Sequence, residues 1–91
     1  MEYEIKHDTG KHRFETSVEG YTAYASYIPS DDIINMNHTI VPPPLEGRGI
    51  AAALVKAALE YAKANGLKVI PSCSYVKVFI ARHPEYGDLA E

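Results

Sequence analysis

Two glycines stand one residue apart in Leu45-Glu46-Gly47-Arg48-Gly49-Ile50, where an extended segment hands over to an alanine-rich run. A helix start presents unpaired backbone N–H groups and the positive end of the helix dipole, so it holds a phosphate without any dedicated side chain. Gly47 and Gly49 remove the side chains that would keep a pyrophosphate away from that backbone. Further on, Pro71-Ser72-Cys73-Ser74-Tyr75 carries the chain's only cysteine. Cys73 falls at the end of a short apolar segment and the start of a second helical one, a position that lowers a thiol pKa and raises the thiolate fraction. The competing reading of Cys73 is a small buried hydrophobe, the commonest role of a free cysteine. His38 precedes the glycine turn in an extended segment. It is either a hydrogen-bonded core residue or, with its near-neutral pKa, a proton acceptor facing a cleft.

The elements that position these residues follow from periodicity. Residues 2–7 alternate, with Tyr3, Ile5 and His7 on one side and Glu2, Glu4 and Lys6 on the other, as in a half-buried strand. Asp8-Thr9-Gly10 has turn chemistry, and residues 12–18 alternate again with Phe14, Thr16 and Val18 together. After the Glu19-Gly20 turn, residues 21–28 place Tyr21, Ala23, Ala25 and Tyr27 on one face and Tyr24 and Ile28 on the other. Pro29-Ser30-Asp31-Asp32 interrupts the pattern, and residues 33–41 form a fourth strand with Ile34, Met36, His38 and Ile40 on a common face. The spacing then predicts a helix over residues 48–65, apolar around most of its circumference, with Lys56, Glu60 and Lys63 as a narrow polar stripe. Asn65-Gly66 closes it. Residues 67–71 read as a buried strand, parallel to the fourth, and residues 74–83 as a short helix stopped by Pro84. The expected fold is α+β, an antiparallel meander of four strands followed by helix, parallel strand and helix.

Composition bounds the function. The 91 residues suffice for one domain over residues 1–91, and 46% hydrophobic residues supply one core. A single cysteine makes no internal disulfide, and no apolar run approaches the ~20 residues of a membrane span. With no signal-peptide pattern at the start, a cytoplasmic location is expected. A net charge of −3 with scattered Lys and Arg lacks the basic footprint of a nucleic-acid binder. His7, His12 and His83 match no metal-ligand spacing, so no metal is expected. Arg82-His83-Pro84-Glu85-Tyr86 reads as a helix stop with packing.

The element order, with H-T-I-V-P (38–42), L-E-G-R-G-I-A (45–51), P-S-C-S-Y (71–75) and R-H-P-E-Y (82–86) in sequence, resembles the GNAT superfamily of acetyl-CoA-dependent acetyltransferases. Within it the chain is similar to a small, single-domain group of minimal length. The resemblance implies a cofactor, acetyl-CoA, with its pyrophosphate on the backbone amides of Leu45, Glu46, Gly47, Arg48, Gly49 and Ile50. It implies that the pantetheine arm pairs with the fourth strand near Ile40 and Val41. It also marks Cys73 and His38 as active-site candidates and Tyr75 as an acid for the departing thiolate, against core packing for Tyr75 and a solvated surface role for Arg48.

Two features depart from the superfamily pattern. Pro44 stands where Gln or Arg is usual, so a donor is lost there. The link at residues 8–11 replaces the two helices that usually wall the acceptor site. A protein-borne or otherwise bulky amine is therefore the expected acceptor, and a monomer or weak homodimer the expected state, with neither nucleic acid nor membrane as partner. Acetyl transfer to an amine, directly or through Cys73, is the leading function. A non-catalytic CoA- or acyl-CoA-binding module is the alternative, and a CoA-independent thiol enzyme is disfavoured because the glycine turn would lack a purpose.

Overall fold

The computed structural model describes residues 3–90. Met1, Glu2 and Glu91 lie outside them, and with Glu2 one member of the expected first strand. Strands β1 (Lys6–Asp8), β2 (Arg13–Val18), β3 (Tyr21–Ser30) and β4 (Ile33–Ile40) form the antiparallel meander, and β5 (Lys68–Ile70) joins β4 in parallel. The five strands lie in sequence order across one sheet. Helix α1 (Ile50–Ala64) connects β4 to β5, and α2 (Ser74–Arg82) follows β5. This is a mixed α+β fold.

Alternation fixes which sheet face is buried. Phe14, Thr16, Ala23, Ala25, Tyr27, Ile34, Met36 and Val69 all point toward α1 and α2 and are buried. Leu54, Val55, Ala58, Leu59 and Ala62 answer from α1, while Lys56, Glu60 and Lys63 remain exposed along its opposite side. Leu54 and Leu59 are fully buried, each worth about 1.5–3 kcal/mol relative to exposure.

Several boundaries differ from the sequence reading, each for a local reason. Tyr3 and Ile5 pack against the core, but pairing begins only at Lys6↔Glu15. Strand β3 runs through Pro29 to Ser30 instead of stopping at Ile28. The Tyr27 amide points to the β2 side, where it donates to the His12 carbonyl at 2.9 Å. Two residues on, the N–H that Pro29 lacks would face an edge beyond the end of β2, so the ladder loses nothing. Helix α1 starts at Ile50, not Arg48, because Gly49 caps it at φ 77°.

The fourth strand carries the largest correction. Ser26 pairs with His38 and Tyr27 with Met36, leaving Asn37 as the extra residue of a β-bulge. The bulge reverses the alternation beyond it. Thr39, opposite Ala25, turns to the helix side, whereas His38 and Ile40 pair with the outward Ser26 and Tyr24 and are exposed. His38 therefore does not share a face with Ile34 and Met36.

After α2, a 3₁₀ segment (Pro84–Leu89) buries Tyr86, whose hydroxyl donates to Glu60 at 2.5 Å. Ala90 then bridges Val69 on the outer edge of β5. Among the described residues no helix is long and apolar enough to cross a membrane.

Candidate functional site

A cleft of about 530 Å³ opens where β4, the glycine turn and α1 meet. Its β4 wall is Thr39, Ile40 and Val41, and its floor is the first turn of α1, Ile50, Ala51 and Ala52. Leu45, Glu46, Gly47 and Gly49 form the turn side, and Tyr75 of α2 closes the far end.

The turn is built by its prolines. Pro42-Pro43-Pro44 lead into a 3₁₀ turn (Pro43–Leu45) in which the Leu45 amide donates to the Pro42 carbonyl at 2.9 Å and the Glu46 amide to the Pro43 carbonyl at 3.1 Å. These two amides are spent inside the turn. Among the described residues, no backbone carbonyl takes up the amides of residues 47–52, and no acidic residue lies in the first turn of α1. The first intrahelical bond is Ala53 N–H to the Gly49 carbonyl, 3.1 Å. Gly47 and Gly49 sit at φ 80° and 77°, and a Cβ at either would meet no protein atom within 4 Å. The backbone conformation, rather than crowding by the protein, calls for glycine there. The result is a bank of free donors at the positive end of a 15-residue helix.

Cys73 caps α2 with extended backbone, its own amide donating to the Met36 carbonyl at 3.0 Å. Its Sγ lies 3.6 Å from Thr39 Oγ1, across the seam between α2 and β4. Partial burial raises the thiol pKa, but the Thr39 hydroxyl and the amides of Val76, Tyr75 and Thr39 outweigh it and leave Cys73 below the ordinary thiol range. The α2 amides face the sulfur without making a full capping hydrogen bond. Tyr75, 40% exposed, is shifted the other way: burial raises its phenol pKa, and the charge of Arg82 only partly opposes this.

A family model described as GCN5-related N-acetyltransferase matches residues 13–89. The chain belongs to this family. A GCN5-like protein of Staphylococcus aureus, determined in solution by NMR, shares 35% identity with a TM-score of 0.75, covering 98% of this chain and 88% of that one. Protein NATD1 of Gallus gallus is 31% identical over 85 residues, spanning 89% of this chain and 76% of its own length. Protein NATD1 of Homo sapiens is 31% identical over 84 residues, 88% and 74% respectively.

On this small member of the GCN5-related family, the sequence-derived candidates fall into two groups. Ile40, Val41, Leu45, Glu46, Gly47, Gly49, Ile50 and Tyr75 line the cleft, and Cys73 adjoins it through Thr39. Arg48 instead turns to β2's end, its guanidinium 2.8 and 3.3 Å from the Glu19 carboxylate oxygens, while its carbonyl accepts from Tyr3 Oη at 2.7 Å. His38 stands on the outer sheet face and is not part of the lining. Thr39, Ala51 and Ala52 were missed. The signal for the alanines was present, since the first turn of the helix brings its amides to whatever the glycine turn holds.

Proposed function

We propose that the protein transfers an acetyl group from acetyl-CoA to an amine. The observation that carries this reading is the run of unpaired amides over residues 47–52, lining a cleft whose other end is Tyr75 beside the Cys73–Thr39 pair. The donor set fits a pyrophosphate: several N–H groups, two glycines with positive φ and no carboxylate in the first helical turn. Gly47, Gly49, Ile50, Ala51 and Ala52 would hold it, and Ile40 and Val41 would flank the pantetheine arm. Acetyl-CoA would supply the activated acyl group.

The chain's own residues do the rest. The raised pKa of Tyr75 keeps its phenol protonated at neutral pH, so it carries the proton that a departing thiolate requires. The lowered pKa of Cys73 makes its sulfur a second nucleophile at the same place, with Thr39 donating to the thiolate. Attack by the acceptor amine can then be direct, or can follow transfer of the acetyl group to Cys73 Sγ. His38, across the sheet, would meet the acceptor only from the outer face.

The acceptor is proposed to be a bulky or protein-borne amine. Only residues 9–12 link β1 to β2, so little wall is available to enclose a small metabolite. The net charge of −3 favours a basic target through steering. Native and denaturing mass spectrometry with acetyl-CoA, followed by transfer of radiolabelled acetyl to peptides and to small polyamines, tests the whole reading. CoA retained in the native spectrum and label on peptides is the expected result. Retention with no transfer to any amine would make the protein a binding module, and high turnover on one small amine alone would overturn the acceptor class.

A further inference from the structure

A second groove, about 250 Å³, runs between α1 and α2 and joins the cleft at Ala52 and Tyr75. Val78, Phe79, Arg82 and His83 complete its lining. Tyr75, Phe79 and His83 recur every four residues along α2 and stack, with ring centroids 6.4 Å and then 4.0 Å apart. Val78 beside them is 50% exposed. Such a shelf offers apolar and π surface to a planar base.

Charge distinguishes this groove from the one on the other side of α1. Of the three arginines, Arg13 pairs with Glu15 and Arg48 with Glu19, whereas Arg82 pairs with no carboxylate among the described residues. Arg82 also acts electrostatically on the Tyr75 phenol, so its charge faces back toward the cleft mouth. The opposite groove, about 500 Å³, meets the cleft at Gly49 and is lined by Tyr3, Arg48, Lys56 and Glu60. Its Arg48 is already committed, and its Lys56 stands one helical turn from the Glu60 carboxylate. An additional phosphate is better matched on the Arg82 side.

Resting on the acetyl-CoA reading above, we infer that the α1–α2 groove seats the adenosine 3′-phosphate end of coenzyme A, with the base against the α2 aromatic shelf and Arg82 on the 3′-phosphate. A ligand whose pyrophosphate sits on residues 47–52 continues into one groove or the other. The Arg82 side alone combines an aromatic shelf with an uncommitted cation.

The test compares CoA with dephospho-CoA, which lacks only the 3′-phosphate, on the full chain by calorimetry and amide NMR. Arg82→Gln should weaken CoA about tenfold, as loss of one charge-assisted contact does, and change dephospho-CoA less than about twofold. Lys56→Gln should change neither by more than about twofold. Adenosine 3′,5′-bisphosphate alone should move the amide signals of Val78, Phe79 and His83. CoA that shifts residues 47–52 but leaves residues 78–83 unmoved would overturn the groove assignment while sparing the acetyl-CoA reading, as would a loss that follows Lys56→Gln instead. No shift anywhere would overturn both.

Discussion

Gly49 separates what the backbone needs from what the cleft needs, and the energetics of replacing it can be worked out from its geometry. It caps α1 at φ 77° and ψ 12°, and a Cβ there would touch no protein atom within 4 Å. Steric cost from neighbours is therefore absent, leaving two opposing effects. An L-residue in the left-handed region costs about 1–2 kcal/mol. Replacing glycine also removes freedom from the unfolded chain, which stabilises by about 0.4–1 kcal/mol. Gly49→Ala should thus destabilise by about 0.5–1.5 kcal/mol, within the roughly 5–14 kcal/mol expected of a domain this size. The midpoint of thermal unfolding should fall by about 4–8 °C per kcal/mol lost. D-Alanine at position 49, introduced by chemical ligation, reverses the sign. It favours positive φ, keeps the unfolded-state gain and should stabilise by about 0.4–1 kcal/mol. Urea unfolding followed by circular dichroism reads both variants. Equal loss for the L- and D-residues would refute the left-handed cap. A loss above about 3 kcal/mol for L-alanine would mean that the position is crowded after all.

The remaining tests address the thiol, the phenol and one histidine. Alkylation of native Cys73 should proceed below the pH of an ordinary thiol, Thr39→Val should move the profile upward, and CoA should protect; a thiol labelled only after unfolding would refute the assignment. Tyr75→Phe should lower acetyl transfer by about 10²-fold or more with CoA affinity nearly unchanged, whereas an equal loss of affinity would make Tyr75 a binding residue only. His7 stacks on Phe14 at 4.1 Å, bonds the Tyr27 hydroxyl at 2.5 Å, and has its pKa lowered from 6.5, chiefly by burial. Its neutral form is therefore the one the fold favours. That contribution is complete above pH 6.5 and is lost as pH falls through the lower folded value. Urea midpoints measured against pH should decline on the acid side, and His7→Phe should flatten that decline.

Much of the architecture was legible because burial imposes a two-residue period on strands and a helical period on α1. Ala23, Ala25, Tyr27 and the Lys56–Glu60–Lys63 stripe all obey it. The glycine turn was legible for the same local reason, since few residues besides glycine tolerate φ near 80°. The long-range pairings were not. Asn37 is polar on either face and carries no sign of being an extra residue; only its pairing against β3 reveals the bulge. Arg48 finds Glu19 across 29 residues of sequence, so its charge looked available for a phosphate. The prolines at 42–44 were read as a lost donor, yet they shape a 3₁₀ turn that also consumes the Leu45 and Glu46 amides and leaves the later ones free.

The bulge connects these observations to the chemistry. Strands β4 and β5 pair only over Ile33–Asn35 and Lys68–Ile70, after which the chain leaves the sheet. The last backbone tie from that departing segment is Cys73 N–H to the Met36 carbonyl, one residue before the bulge. Without the extra residue, strict alternation would aim His38 at Cys73 and turn Thr39 to the outer face. With it, a small hydroxyl meets the sulfur and His38 is excluded from the cleft. A threonine hydroxyl can donate to a thiolate without competing for its charge, whereas an imidazole in that place would titrate near neutrality and couple the thiol to its own protonation. The irregularity in β4 thus decides both where the sheet opens and how the thiol beside the opening is tuned.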